Sequence, residues 1–156
     1  MDAKARILGH PIHQMLIPLP LGLFVSGAGI DIASALAGRS FLSYVSFYNI
    51  AFGIGTGLLA ALFGWIDWSV IPDRTRAKRV GLAHGIGNAL LIALFAAALV
   101  LRLNQPEYAA IPAAVMLETA ALLLGAVTAW LGGELVDRLG IGVSPGANPN
   151  ASSSLR

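Results

Sequence analysis

The sequence predicts an all-α integral membrane protein, a four-helix bundle with both termini on the cytoplasmic side. Three observations predict it. Of the 156 residues, 56% are hydrophobic and only 12% are charged, where soluble domains carry about 25% charge. The mean hydropathy is +0.75. Four long apolar runs, at 14–37, 44–66, 80–101 and 109–131, are joined by short polar links. Each is long enough to cross a hydrocarbon core of about 30 Å at about 1.5 Å per helical residue. Nothing alternates in blocks of about ten residues as the strands of an outer-membrane barrel would.

The first run opens on GHPIHQMLIPLP, residues 9–20, where His10 and His13 stand among Pro11, Pro18 and Pro20. Pro18 and Pro20 each remove a backbone donor, so a kink is expected there. Residues 1–6 are basic and Ala35-Leu36-Ala37 looks like a cleavage triplet. The apolar core is too long for a secretion signal and Asp31 interrupts it, so no cleavage is expected. The second run carries Gly53, Gly55 and Gly57, and the third Gly81, Gly85 and Gly87. Small residues let membrane helices approach closely. Gly85, next to His84, could also clear space for a flat cofactor. Trp65 and Trp68 close the second run as interfacial anchors. The short links favour antiparallel neighbours, so residues 1–143 form one domain. Residues 144–156, SPGANPNASSSLR, read as a disordered tail.

Orientation follows from the basic residues. Lys4, Arg6, Arg74, Arg76, Lys78, Arg79, Arg138 and Arg156 fall on the side that holds both termini, and only Arg39 and Arg102 fall on the other. This asymmetry places the termini in the cytoplasm. The net charge of +2 therefore reflects topology. The run 74–79 is too short for a nucleic-acid footprint, so no nucleic-acid partner is expected. Its plainer role is a stop signal against anionic lipid. The absence of cysteine excludes disulfides, thiolate metal sites, cysteine-ligated clusters and covalently attached haem.

This topology gathers His10, His13, Asp67, His84, Glu134 and Asp137 near the cytoplasmic boundary. His13 precedes Asp31 by 18 residues and His84 precedes Arg102 by 18. Eighteen residues make five helical turns, about 27 Å, so each pair shares a helix face. If His13 faces His84, Asp31 faces Arg102 near the opposite boundary. A structural ion pair is expected there, because an unpaired aspartate within a span is costly. The shared spacing could mark two related helix pairs, and chance also accounts for it. Glu118 lies deepest of the acids, roughly 10 Å into the fourth run. Two readings of it stand: a functional intramembrane acid, or a protonated carboxyl bonded to a neighbouring helix.

Three histidines at one boundary allow several chemistries. His13 and His84 could ligate a haem iron axially, with His10 as an alternative ligand or support. Lys4, Arg6, Lys78 or Arg79 could then hold the propionates. His10, His13 and His84, with Glu134 or Asp67, could instead hold a divalent metal. Asn88, four residues after His84, could orient a bound group or bond a neighbouring helix. The plainest alternative is that the histidines bond backbone or lipid headgroups.

Several motifs together resemble a known family. They are His10-Pro11-x-His13 followed by Pro18 and Pro20, then His84 opening the third span with Asn88 a turn on. Gly132-Gly133-Glu134-Leu135-Val136 with Gly140 and Val143 closes the set. The pattern resembles the bacterial membrane family called domain of unknown function 2231, over about residues 7–143. Gln14 stands where that family has a second proline, and Asp137 stands where an aromatic often follows. The resemblance implies a four-helix protein of the bacterial inner membrane. Its relatives are sometimes joined to Rieske-type or cytochrome c domains, which implies redox company and suits a b-type haem on His13 and His84. Three functions are therefore expected to compete. The first is a cytochrome-like subunit passing electrons to or from quinone or a partner protein. The second is a non-catalytic accessory or assembly subunit, and the third a metal- or proton-coupled transporter. The lipid bilayer is the sure partner, a membrane or redox protein a further one, and homo-oligomerisation is left open. No stand-alone active site is expected.

Overall fold

The computed structural model describes residues 1–39 and 42–154. Residues 40–41, between the first two runs, and residues 155–156, with Arg156 of the basic set, lie outside the described residues. A two-residue antiparallel ribbon comes first, β1 (Arg6–Ile7) against β2 (His10–Pro11), with Arg6 opposite Pro11 and Ile7 opposite His10. Leu8 and Gly9 turn between them, both with positive φ, as a two-residue hairpin turn requires. The first span follows as α1 (Ile12–Leu16) and α2 (Pro18–Leu36). Pro18 cannot donate to the Gln14 carbonyl, nor Pro20 to that of Leu16, and this separates the two pieces. Ile17 keeps helical angles, and its amide still bonds the His13 carbonyl at 3.2 Å. The chain therefore continues across the break as one span, Ile12–Leu36.

The second and third spans are longer than their apolar runs, and the fourth is shifted along its run. Helix α3 covers Ser43–Ser69, α4 covers Arg76–Arg102 and α5 covers Pro112–Gly133. Thr75 caps α4, its hydroxyl oxygen accepting from the Lys78 amide at 3.1 Å, which starts the helix before its apolar residues. Pro112 opens α5, where its missing N–H costs nothing. A π-turn, Glu134–Arg138, ends it.

Helix α2 packs on α3 and α5, and α4 packs on α3 and α5, which puts α2 and α4 on a diagonal. The centre is apolar. Phe24 of α2 stacks on Phe95 of α4 with ring centroids 4.2 Å apart, and Ala28, Ile50, Leu91 and Ala121 fill in around them. Large apolar side chains point outward instead: Met116 is 72% exposed and Leu123 68%, with Leu21, Leu58 and Leu90 also exposed. A shell of this kind suits lipid rather than water. Close helix approach is enforced at Gly27, where a Cβ would meet Ile50 Cγ1 at 2.8 Å, and at Gly53, where it would meet Phe24 Cε1 at 2.8 Å. Gly55 has open space around it, so only part of the second run's glycine set serves packing.

Both ends of the described chain lie at one end of the bundle. The Met1 ammonium donates to the Gly140 carbonyl at 2.6 Å. Residues 144–154 carry no helix or strand, and they touch the N-terminal segment through Ser144 to Asp2 and Ser154 to the Leu8 carbonyl.

Candidate functional site

At the end that holds the termini, two imidazoles meet across the bundle. His13 of α1 places Nδ1 2.8 Å from the Ala60 carbonyl of α3. His84 of α4 places Nδ1 2.9 Å from the Thr128 carbonyl of α5. A carbonyl oxygen only accepts, so each Nδ1 carries hydrogen and each neutral ring keeps its lone pair on Nε2. Helical carbonyls already accept one bond from the amide four residues on. The ring must therefore reach over that turn to the second lone pair. Glycine makes room in both cases. A Cβ at Gly64, four residues after Ala60, would lie 2.9 Å from His13 Cε1. A Cβ at Gly132, four residues after Thr128, would lie 3.2 Å from His84 Cε1. The same device, a histidine bonded to a carbonyl over a glycine, is thus built twice, once in each helical hairpin.

The rings stand edge to face, with centroids 6.4 Å apart and planes at 89°. Asn88 donates from Nδ2 to His84 Nε2 at 3.1 Å and to the His84 carbonyl at 2.9 Å. Among the described residues no hydrogen bond engages His13 Nε2. Both rings are half-buried, and Gly85 beside His84 is exposed with nothing near its α-carbon.

Does this pair suit the metal centre expected of it? The donor chemistry does. Ligating histidines as a rule donate their other ring N–H to a carbonyl or carboxylate, and both rings do so here. A ligand taken up at His84 Nε2 would replace the Asn88 bond there and leave that amide its bond to the His84 carbonyl.

The three-histidine metal site needs correcting. His10 lies on exposed β2, with Nε2 3.2 Å from Ser154 Oγ, so it supports neither ring of the pair. Asp67 Oδ1 accepts from the Lys4 and Ala5 amides at 2.7 and 2.8 Å, tying the N-terminal segment to the end of α3. Glu134 pairs with Arg76 at 2.6 Å. Among the described residues no group of three histidine or acidic side chains converges as a metal site would need. Of the cations expected beside a cofactor, Lys78 donates to the Trp68 and Ile71 carbonyls and lies 4.1 Å over the Trp68 ring. Arg6 bonds Gly9 and Asp2.

The opposite end holds a second polar centre. Arg102 of α4 is fully buried. Its Nη1 lies 2.6 Å from Asp31 Oδ2 of α2, 3.1 Å from Ser46 Oγ of α3 and 3.2 Å from Glu118 Oε1 of α5. Its Nη2 reaches Asp31 Oδ1 at 3.4 Å and the Ser43 carbonyl at 3.3 Å, and its Nε reaches the Tyr108 carbonyl at 2.8 Å. The structure thus brings Asp31 and Arg102 together, and adds Glu118 and Ser46 to them. Tyr108 and its neighbour Glu107 both have positive φ, an uncommon backbone for such residues. The turn they form lets the Tyr108 carbonyl meet the guanidinium, while its ring stacks on Phe47. Sequence reasoning did not find Ser46, Tyr108, Gly64 or the Ala60 carbonyl. Gly64 was legible as a glycine four residues after a small residue, on the histidine-bearing end of its span.

Four apolar spans around two polar centres define a multi-pass helical membrane protein with a paired-imidazole site. The chain belongs to the family described as predicted membrane protein (DUF2231), which it matches over residues 9–145. No curated protein and no solved structure matches it significantly.

Proposed function

We propose that the chain is a small electron-transfer subunit of the bacterial inner membrane, with a b-type haem held axially by His13 and His84. Its termini face the cytoplasm, in keeping with the excess of Lys and Arg at that end. One observation carries this reading: both rings present Nε2 while Nδ1 is fixed to a carbonyl of the facing helix. A haem held in this way supplies reversible one-electron chemistry. The chain's own part is to fix the tautomer of each ring, to hold the rings on diagonal helices and to keep the site at a boundary that a partner protein or quinone can reach. Gly64 and Gly132 let the rings reach their carbonyls, and Asn88 occupies the His84 lone pair when nothing else does.

The transporter reading has less support. Between the two polar centres lies an apolar layer, Phe24 stacked on Phe95 with Ile50, Leu91 and Ala121 around them. The test is to purify the protein in mild detergent from haem-replete cells and record its absorption when oxidised and when dithionite-reduced. A Soret band with sharp reduced α and β bands, at about one haem per chain, is the expected result. A colourless protein overturns the proposal and moves the accessory-subunit reading to first place.

A further inference from the structure

We infer that the centre around Arg102 is a proton-binding site in which Glu118 carries one exchangeable proton, reached from water through the cavity beside Asp31. Charge balance is the first ground. Arg102 brings one positive charge, and Asp31 and Glu118 bring two carboxyls, all within a pocket where Arg102 and Glu118 are 0% exposed and Asp31 2%. The other groups bonded to them are neutral: the Ser46 hydroxyl from α3, and the Ser43 and Tyr108 carbonyls. Arg39 also lines the cavity beside Asp31, but it is exposed, so water screens its charge. An excess negative charge buried there without a partner would cost far more than binding a proton.

Hydrogen-bond supply decides which carboxyl holds it. Asp31 receives both arms of the guanidinium fork and the Ser46 hydroxyl as well, an arrangement that suits a carboxylate. Nη1 has two hydrogens and three acceptors within reach, of which Glu118 Oε1 is the most distant at 3.2 Å. Glu118 Oε2 is buried and has no hydrogen-bond partner among the described residues. A carboxylate oxygen in that state is the costlier form, and an O–H at that position removes the charge.

Access is the second ground. A cavity of about 200 Å³ lies beside the centre, lined by Asp31, Ser34, Gly38, Arg39 and Ala110 among others. It has room for several waters at about 30 Å³ each. It opens at the end of the bundle opposite the histidines, so the proton site and the imidazole site address different sides of the membrane.

Infrared spectroscopy of the full chain in lipid vesicles, with carbon-13-labelled glutamate, tests this. At neutral pH the wild type should show one protonated-carboxyl stretch that moves with the label and shifts in D2O. Glu118→Gln should remove it and Glu134→Gln should keep it. Asp31→Asn leaves Glu118 in place but removes the surplus negative charge, so it too should abolish the band. Ala35→Leu, at the cavity wall, should slow the D2O shift several-fold. No labelled band in the wild type overturns the inference, as does a band that survives Glu118→Gln or Asp31→Asn. A D2O shift unchanged in Ala35→Leu overturns the access route. The wild-type measurement decides the protonation claim even where a variant fails to fold.

Discussion

The two ends of the bundle solve the same problem, polar groups inside a membrane protein, in opposite ways. At the guanidinium end all three nitrogens of Arg102 meet oxygens, from Asp31, Ser43, Ser46, Tyr108 and Glu118, and the side chain is buried. At the imidazole end each ring is anchored through one nitrogen only, the rings are half-buried, and His13 Nε2 has no hydrogen-bond partner among the described residues. A saturated cluster rigidifies a fold, whereas an anchored group with one position left open is how proteins present a ligand. The difference suits one end to cohesion and leaves the other as the place where a ligand could bind.

Substitutions can break this contrast. Arg102→Met should be the most damaging, since it strands two acids in the core; a loss on the order of 3–5 kcal/mol is expected, read as early thermal unfolding in detergent. Arg102→Lys should recover only part of it, because a point charge cannot reproduce the planar fork. If Arg102→Met unfolds no earlier than wild type, the guanidinium end is not what holds the spans together. Gly64→Ala should cost about 1–3 kcal/mol by overpacking and, unlike the arginine changes, should push His13 off the Ala60 carbonyl and alter any haem spectrum. An unaltered spectrum would mean that the glycine seat does not position the ligand. Asp67→Ala removes the acceptor for two amides and should cost about 1 kcal/mol, with faster hydrogen exchange at Lys4 and Ala5. Exchange there at the wild-type rate would show that Asp67 is not the tie. His10→Ala should change stability by less than about 0.5 kcal/mol.

The four spans were legible because length and apolarity alone define a membrane helix. The structure extends the second and third by several polar or interfacial residues, as at Arg76 and Trp68, where capping and tryptophan contacts rather than hydropathy set the bounds. The facing of Asp31 and Arg102 followed from a helical spacing of five turns, which the proline break in the first span does not disturb because Ile17 stays helical. What could not be read was anything set by carbonyl direction or by a partner from a distant segment. Ser46 and the Tyr108 carbonyl belong to the Arg102 centre through tertiary packing. His10 looked like a third ligand because it stands three residues from His13, yet the turn at Leu8–Gly9 carries it onto an exposed strand. Asp67 and Glu134 share an end with the histidines, but nearer partners, two amides and Arg76, already engage them.

The proposed redox site rests on His13 and His84, and not on His10. The most direct test is to compare reduced-minus-oxidised spectra of His13→Ala, His84→Ala and His10→Ala with wild type, all purified in the same way from haem-replete cells. Sharp α and β bands are expected in wild type and His10→Ala, and their loss in each of the other two. Bands that survive in His13→Ala or His84→Ala, or that are absent from wild type, would contradict it.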